Sequence, residues 1–548
     1  MHPDASIKIL ESGSSLGGTW AYDRLYPGLR SNNLLGTYEN PDFPMDPEVF
    51  GGKHNDHILG KTIHEYLAAF AKKYNVLDKI RFSTKVEEVQ QDTEQKWIIR
   101  VTGPDGAQKK ILANKLIVAT GLTGNPNMPE IPGVDVFDGP VYHAKEFLQN
   151  KGLLHTAKTV AVYGASKSGW DAVYAYASAG VQVEWVVRES GRGPCWMAPM
   201  WVIGGKKWLE ALVFTRLMTW LNPTVWGAND GFGPWKRFLH GSFMGRLIVN
   251  KFWNLLEQDV LDYNQFDSHP EMKKLKPWSG SFWSGTSLSI LNYPTDFYDL
   301  VRNGTVRVHI GDITRLSPHQ IHLSTGETIE ADALHCSTGW KHEPPIKFSP
   351  PLLATKLGYP GSYDPSDAEM TAKIDKEIIS RFPMLKNQPN VTPNRDPAKG
   401  PLASKEMPYR LYRYTVPPAT AHDRNFAVAG AFLSLGQPVA AQLQALWITA
   451  YLDGSLPLTK SKEDMIYETE LFQRFGHWRF PGGYGGKVGD FVFETLPYYD
   501  DLLGDLGLKF KRKNGWYKEI TEPYGPKDYK GIVNEWIEKN RVEKKEEA

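Results

Sequence analysis

The clearest succession of apolar and polar segments lies between Thr159 and Val187. An apolar run, Thr159-Val-Ala-Val-Tyr163, meets a polar turn bounded by Gly164 and Gly169; an Ala-rich stretch continues to Ala179, and a second apolar run occupies Val181–Val187. Runs of this length between turn residues predict strand, loop, helix and strand in succession. Ser6–Glu11 alternates and ends on an acid before the Gly-rich turn Gly13–Gly18, which predicts a short strand. Tyr66, Leu67, Phe70 and Ala71 share one face at helical spacing and predict a helix over His64–Tyr74. Lys85–Val89 and Trp97–Val101 alternate as strands, a Gly-Pro-Asp-Gly turn follows them, and Leu116–Gly121 reads as a buried strand running into a glycine. Strand patterns return at Val306–Ile310, Gln320–Leu323, Leu334–Gly339 and Phe426–Gly430, and Gln442–Leu452 predicts a helix. Residues 190 to 290 are rich in Trp, Phe and Pro, lack the strand–helix rhythm and read as an insertion.

Length then sets the organisation. Single cores stop growing near about 250 to 300 residues, so a chain of 548 residues is expected to form two or three domains. Boundaries are expected at 1–150, at 151–340 with the insertion at about 190–290 inside it, and at 341–535. A charged tail, 536–548, follows, and disorder, if anywhere, is expected there. The 41% hydrophobic and 23% charged residues suit a soluble globular chain with ample core. With 63 Lys and Arg against 62 Asp and Glu, and no basic run interleaved with aromatics, the footprint of a nucleic-acid binder is missing and a small-molecule partner is expected. Cys195 and Cys336 have no second ligand at metal spacing, so neither a zinc site nor a disulfide framework is expected, and a reducing, cytoplasmic compartment fits. The first residues carry no apolar stretch of the signal-peptide kind. Trp208–Trp226 is the nearest approach to a membrane segment, but Glu210 and Arg216 interrupt it and Asn222-Pro223 ends it. It reads as a helix of a substrate lobe, with membrane-surface contact as the lesser alternative.

Two strand ends carry candidate chemistry. A phosphate-binding turn needs glycines so that the backbone can approach a pyrophosphate, with the following helix supplying aligned N–H groups. Gly164-x-Ser166-x-Ser168-Gly169 meets this need with Ser166 in place of a middle glycine; the alternative is a plain tight turn. Arg188 follows the second strand of that unit, where a cation would meet the 2′-phosphate of NADP and an acid would meet a ribose hydroxyl. Its alternative is an exposed Arg at a strand end. Glu11 occupies the corresponding place after the first strand, where a carboxylate suits the unphosphorylated ribose of FAD; alone it would be a surface acid.

Glu11 with Gly17-Gly18-Thr19-Trp20, Tyr26-Pro-Gly-Leu-Arg-Ser-Asn-Asn33 and Asn40-Pro-Asp-Phe-Pro44 resemble the early FAD-domain blocks of the flavin-containing monooxygenases and their Baeyer-Villiger relatives. Phe137-x-Gly139-x3-His143-x3-Phe147-x3-Lys151 is similar to that class's linker fingerprint, and Phe147 resembles the flavin-containing and N-hydroxylating branch more than the Baeyer-Villiger branch. Ala119-Thr120-Gly121 and Ser337-Thr338-Gly339-Trp340 resemble the family's two inter-domain turns, and Gln442-Leu-Gln-Ala-Leu-Trp447 its C-terminal flavin-side helix. Gly193-Pro-Cys-Trp196 and Asn292-Tyr-Pro294 resemble fungal members that modify secondary metabolites.

The resemblance implies an α/β fold of two Rossmann-like dinucleotide-binding domains, the FAD domain discontinuous with the NADPH domain inserted in it, plus the Trp/Phe-rich insertion. It implies FAD at Glu11, Gly17, Gly18, Thr19 and Trp20, at Ser31, Asn32 and Val86, and at Thr120 and Gly121. It implies NADPH at Gly164, Ser166, Ser168, Gly169, Trp170 and Arg188, with Thr338 and Gly339 at the second inter-domain turn. Asn32 would lie near flavin and nicotinamide and is the catalytic candidate; His143 would make a structural hydrogen bond at the linker. The activity implied is transfer of one oxygen atom from O2, activated on reduced flavin, to a small apolar substrate.

The pattern breaks at the start. In the family a strand and a Gly-x-Gly-x-x-Gly turn precede the matching acid by roughly twenty to thirty residues, and this sequence begins beside the acid's own strand. The expectation is a sequence that starts downstream of that strand and loop; the alternative is a non-catalytic or NADPH-binding remnant that has lost flavin. A flavin-linked disulfide reductase, which shares the two-domain plan, would need a Cys-x-x-Cys or Cys-x4-Cys pair that the sequence lacks.

Overall fold

The strand–loop–helix–strand unit forms the middle of a five-stranded parallel sheet in the order Val141–His143, Ala333–Cys336, Thr159–Tyr163, Gln182–Val187, Val306–Ile310. The computed structural model describes residues 5–360, 368–391, 409–482, 484–486 and 488–546. Alternate positions of these strands supply two cores. Val160, Val162, Val183 and Trp185 pack with the helix Lys167–Ser178. Ala161, Tyr163, Val186 and Leu334 pack with the three-stranded antiparallel sheet Ile313–Ser317, Gln320–Leu323, Thr328–Glu330. Both faces are therefore covered, which is why the strands read as continuous apolar runs.

Around this unit the remaining strands fall into smaller sheets. Lys347–Ser349, Lys85–Gln91, Trp97–Thr102 and Gln108–Ala113 form one of four strands. Ile9–Leu10 pairs in parallel with Ile80–Arg81, and Leu116–Val118 with Phe426–Val428. Among the described residues no strand joins those two ladders. Ile9 and Ile117 are consequently 37% and 48% exposed. The helix expected at His64–Tyr74 runs over Gly60–Lys73, and the one expected at Gln442–Leu452 over Gln437–Asp453.

The insertion enters on Trp196–Ala198 and leaves on Leu288–Ile290, and these two strands pair in parallel. Its interior is mainly helical, and with the helices Gln437–Asp453, Lys462–Arg479 and Thr495–Asp505 it builds the largest core. The expected single helix at Trp208–Trp226 is instead two short ones, Leu209–Val213 and Arg216–Leu221. Thr215 is extended (ψ 149°) and its hydroxyl accepts from the amide of Met218, so it stops one helix and caps the next. Running into the charged tail, Ile532–Glu546 is a helix, anchored by the buried Trp536. Among the described residues no helix is long and apolar enough to cross a membrane.

Candidate functional site

The turn after Thr159–Tyr163 is shaped by two glycines for which no larger residue would fit. Gly164 has φ 114°, and a Cβ on it would lie 2.3 Å from the carbonyl oxygen of Ser337; a Cβ on Gly169 would lie 2.2 Å from the carbonyl oxygen of Gly164. Ser166 sits at the N-cap of Lys167–Ser178, exposed and with its hydroxyl capping nothing, 3.4 Å from that of Ser168. The first-turn N–H groups and the positive end of the helix dipole are thus presented with two hydroxyls beside them, a donor set that fits a phosphate. Ser168, Gly169 and Trp170 lie in that first turn, but the Trp170 indole is fully buried, edge-on to Trp185 at 4.9 Å and packed on Phe297 at 4.5 Å. Arg188, directly after Gln182–Val187, stands over the ring of Tyr163 at 6.0 Å. Among the described residues it forms no ion pair. Asp312, which Tyr163 reaches, is engaged by the amide and hydroxyl of Ser190 at 3.1 and 2.8 Å. A half-buried, unpaired guanidinium at this strand end fits the 2′-phosphate of NADPH.

The residues that the resemblance assigns to FAD gather along the edges of the two separate ladders. Glu11 ends Ile9–Leu10 and its Oε1 accepts from the amide of Gly13 at 2.7 Å. Gly17 and Gly18 are both left-handed (φ 114° and 58°), which brings Thr19 to within 2.9 Å of the Thr123 hydroxyl, just past the exposed Thr120-Gly121. Trp20 packs edge-on to Tyr38 and donates to its hydroxyl at 3.4 Å. Val86 packs in the core beneath the four-stranded sheet. These residues fit the ribose and ring ends of FAD; among the described residues this half has no glycine turn leading from strand to helix that would cradle the pyrophosphate.

The two inter-domain turns cross where Thr338 donates to the carbonyl of Asn127 at 2.7 Å and Trp340–Lys341 pairs with Asn125–Pro126. His143 fixes the crossing: its Nδ1 accepts from the amide of Lys145 at 3.1 Å and its Nε2 donates to the carbonyl of Gly339 at 2.9 Å. Burial lowers its pKa, which holds it in this neutral tautomer. The expected structural role of His143 matches this geometry.

Asn32 lies on the strand Arg30–Leu34, where the helix Lys167–Ser178 and the insertion converge. Its Oδ1 accepts from the hydroxyl of Ser289, on the strand that closes the insertion, at 3.3 Å. Ser31 is buried and bridges the carbonyl of Asn33 and the amide of Ile58. Asn33 donates to Glu210 at 2.6 Å, and the amide of Leu34 donates to the same carboxylate at 3.3 Å. Burial raises the pKa of Glu210, and the hydrogen bonds oppose that rise. Lys167 on the nucleotide helix pairs with Asp171 and reaches Asn292 at 2.8 Å; Asn292 in turn donates to the carbonyl of Ser31 at 3.0 Å. Asp171 also accepts from Tyr26 at 3.0 Å and Tyr293 at 2.9 Å.

Sequence reasoning gave no role to Lys167, Asp171, Glu210 or Ser289. The four-residue spacing of Lys167 and Asp171 on a helix, and an acid inside the apolar segment at Glu210, are signals that could have found three of them. Ser289 left no such signal, because its partner lies 257 residues away. Two grooves lie elsewhere: one of about 690 Å³ is lined by Arg302, Arg307 and His309, another of about 470 Å³ by Arg413, Asp501 and Trp536, and neither shares a residue with the Asn32 junction.

Residues 43–202 match the family model for pyridine nucleotide-disulphide oxidoreductases. The chain is 32% identical over 565 residues to an FAD-dependent monooxygenase of Aspergillus sclerotiorum, an alignment spanning 98% of this chain and 94% of that one. It is 33% identical over 548 residues to an FAD-dependent monooxygenase of Pyrenophora dematioidea, spanning 94% and 96%. Among solved structures, cyclohexanone monooxygenase from a Rhodococcus species bound to NADP+ aligns with TM-score 0.57 at 16% identity over 92% of each chain. A steroid monooxygenase bound to NADP aligns with TM-score 0.55 at 16% identity over 92% of this chain and 93% of that one. These likenesses show the fold: α/β with two Rossmann-like units. The disulfide chemistry in the family model's description finds no counterpart, since Cys195 and Cys336 are both free and buried.

Proposed function

The chain belongs to the FAD-dependent monooxygenases, and from that premise we propose that it uses NADPH and O2 to place one oxygen atom on a small apolar organic molecule in secondary-metabolite biosynthesis. The observation that carries this reading is the convergence at Asn32 of the flavin-side strand, the nucleotide helix and the aromatic insertion. Flavin, when bound, supplies the electron transfer and oxygen activation. The chain's own residues bind, orient and exclude water. Gly164 and Gly169 would let the backbone approach the NADPH pyrophosphate, and Arg188 would hold the 2′-phosphate. The Lys167–Asn292–Ser31 chain of hydrogen bonds fixes the nucleotide helix against the strand that carries Asn32. With Asn32 Oδ1 engaged by Ser289, its amide N–H2 is the group left to orient the reacting ends of the cofactors. Apolar side chains from the Trp/Phe-rich insertion would line the substrate and keep water out.

The domain assignment follows the same reading: FAD on 1–150 and 341–535, NADPH on 151–340. The two buried free thiols suit a cytoplasmic setting.

The visible absorption spectrum of the purified chain, followed by NADPH addition under air, tests the proposal. A yellow protein bleached by NADPH and recoloured by oxygen is expected. A colourless protein that still binds NADPH would replace this reading with that of an NADPH-binding remnant.

A further inference from the structure

In the insertion, the helices Gly233–Gly241 and Phe243–Asn264 form a close hairpin. Gly245 makes the contact possible, since a Cβ there would lie 2.1 Å from the carbonyl oxygen of Phe238 and 2.5 Å from the Cα of Leu239. Ser242 caps the second helix through the amide of Gly245 at 2.9 Å. Val249, Trp253, Leu256 and Val260, at three- and four-residue spacing, face the main core. Trp253 and His240 tie the hairpin down by donating to the carbonyls of Leu221 and Trp220, each at 2.9 Å.

The opposite side should be polar on a surface helix, and it is not. Met244, Leu247, Ile248 and Leu255 form an outward stripe, with Phe243, Trp235 and Phe238 beside it; Phe243 is 68% exposed and Met244 60%. These seven large apolar side chains fall within 21 residues, a density that scattered surface hydrophobics do not reach. From Gly231 to Leu256 the sequence has no Asp or Glu, but has Lys236, Arg237, Arg246 and Lys251. Lys236 is spent on Asp230; Arg237 and Lys251 are exposed.

We propose that this hairpin face lies on the surface of an anionic phospholipid bilayer, its Phe, Met, Leu and Ile side chains entering the headgroup boundary and its cations meeting lipid phosphates. A helix with one apolar face, aromatic residues and Lys/Arg at its margin lies in the interface plane, and long cationic side chains reach from that depth to the headgroups. The charge pattern selects a bilayer over a second copy of the chain. A twofold interface sets the same patch against itself, so Arg237, Arg246 and Lys251 would meet a facing hairpin segment that brings the same cations and no acid to neutralise them. This inference concerns a surface and holds whatever the substrate.

Co-sedimentation of the full chain with vesicles tests it. The chain is expected to pellet with phosphatidylcholine vesicles containing phosphatidylserine, far less with phosphatidylcholine alone, and less as salt rises. Arg237→Ala and Lys251→Ala are each expected to weaken binding about fivefold, and the combined Phe243→Ser/Met244→Ser/Ile248→Ser variant to abolish it. All five positions are exposed, so the variants should melt with the parent. Absence of pelleting by the parent, or pelleting that these variants leave unchanged, would overturn the proposal. So would a concentration-dependent dimer that the triple variant disperses, which would assign the face to a second copy.

Discussion

Arg188 stands at the end of the second nucleotide strand without a carboxylate partner among the described residues, so its charge is available to a ligand. Charge-assisted hydrogen bonds are worth about 1.5 to 3 kcal/mol; Arg188→Ala should therefore raise KM for NADPH about 10- to 100-fold while leaving KM for NADH nearly unchanged. Steady-state kinetics with both nucleotides checks this, and equal losses would refute the phosphate role. The role proposed for Asn32 is one of orientation rather than affinity. Asn32→Ala should keep NADPH consumption and lower the fraction of it that yields product, read as excess hydrogen peroxide; unaltered coupling would remove Asn32 from the mechanism. A third group, Glu494, bears on stability. It is buried beside Arg479, Asp490 and Asn222, which donates to its Oε1 at 2.9 Å, and burial pushes its carboxyl up to about 8. Below pH of about 4.5 both folded and unfolded states hold the proton; between there and about 8 only the folded state does, so stability falls as pH rises through that window. Glu494→Gln cannot titrate, and its thermal midpoint should rise relative to the parent's between about pH 5 and pH 8. A pH-independent difference would show that Glu494 does not keep its proton.

Among the elements, the strand Arg30–Leu34 depends most on distant partners. It is five residues long, its register with His57–Leu59 is irregular, and Glu210 binds both Asn33 and the amide of Leu34. Leaving a buried donor unpaired costs about 1 to 3 kcal/mol. Glu210→Ala should consequently lower the melting temperature and loosen coupling, with KM for NADPH little changed; an effect confined to KM would contradict this placement. The nucleotide helix and its flanking strands were legible because local pattern and global sheet agree there: residues 159–163 match to the residue, and the helix ends one position early. The segment Trp208–Trp226 was misread as one helix because hydropathy carries no trace of Thr215 turning extended or of Arg216 finding two acids about 300 residues away.

At the scale of the molecule, those acids hold the insertion to the C-terminal region. Arg216 is fully buried, donates to Asp500 at 2.9 Å and to Glu519 at 2.9 Å, and lies against the ring of Tyr524. Removing one member of a buried ion pair costs about 3 to 5 kcal/mol, because the charges left behind are uncompensated. Arg216→Met should lower the unfolding free energy by that order, read from denaturant titration. Arg216→Met combined with Asp500→Leu and Glu519→Gln should recover much of it. A single variant as stable as the parent would mean that the insertion is held by packing alone.

By itself the sequence determined the strand–turn–helix–strand unit with its two glycines, the cation and acid at two strand ends, the function class and the resemblance that led to the family, since each is written in neighbouring residues whose spacing is fixed by strand and helix geometry. Only the tertiary structure decided that the Trp170 indole packs in the core, that Ile532–Glu546 is a helix, and that Asn32 meets Ser289 and Glu210 steadies its strand. Those outcomes rest on burial and on hydrogen bonds between segments far apart in the chain, and the energies that select them arise only once water has been displaced from between the segments.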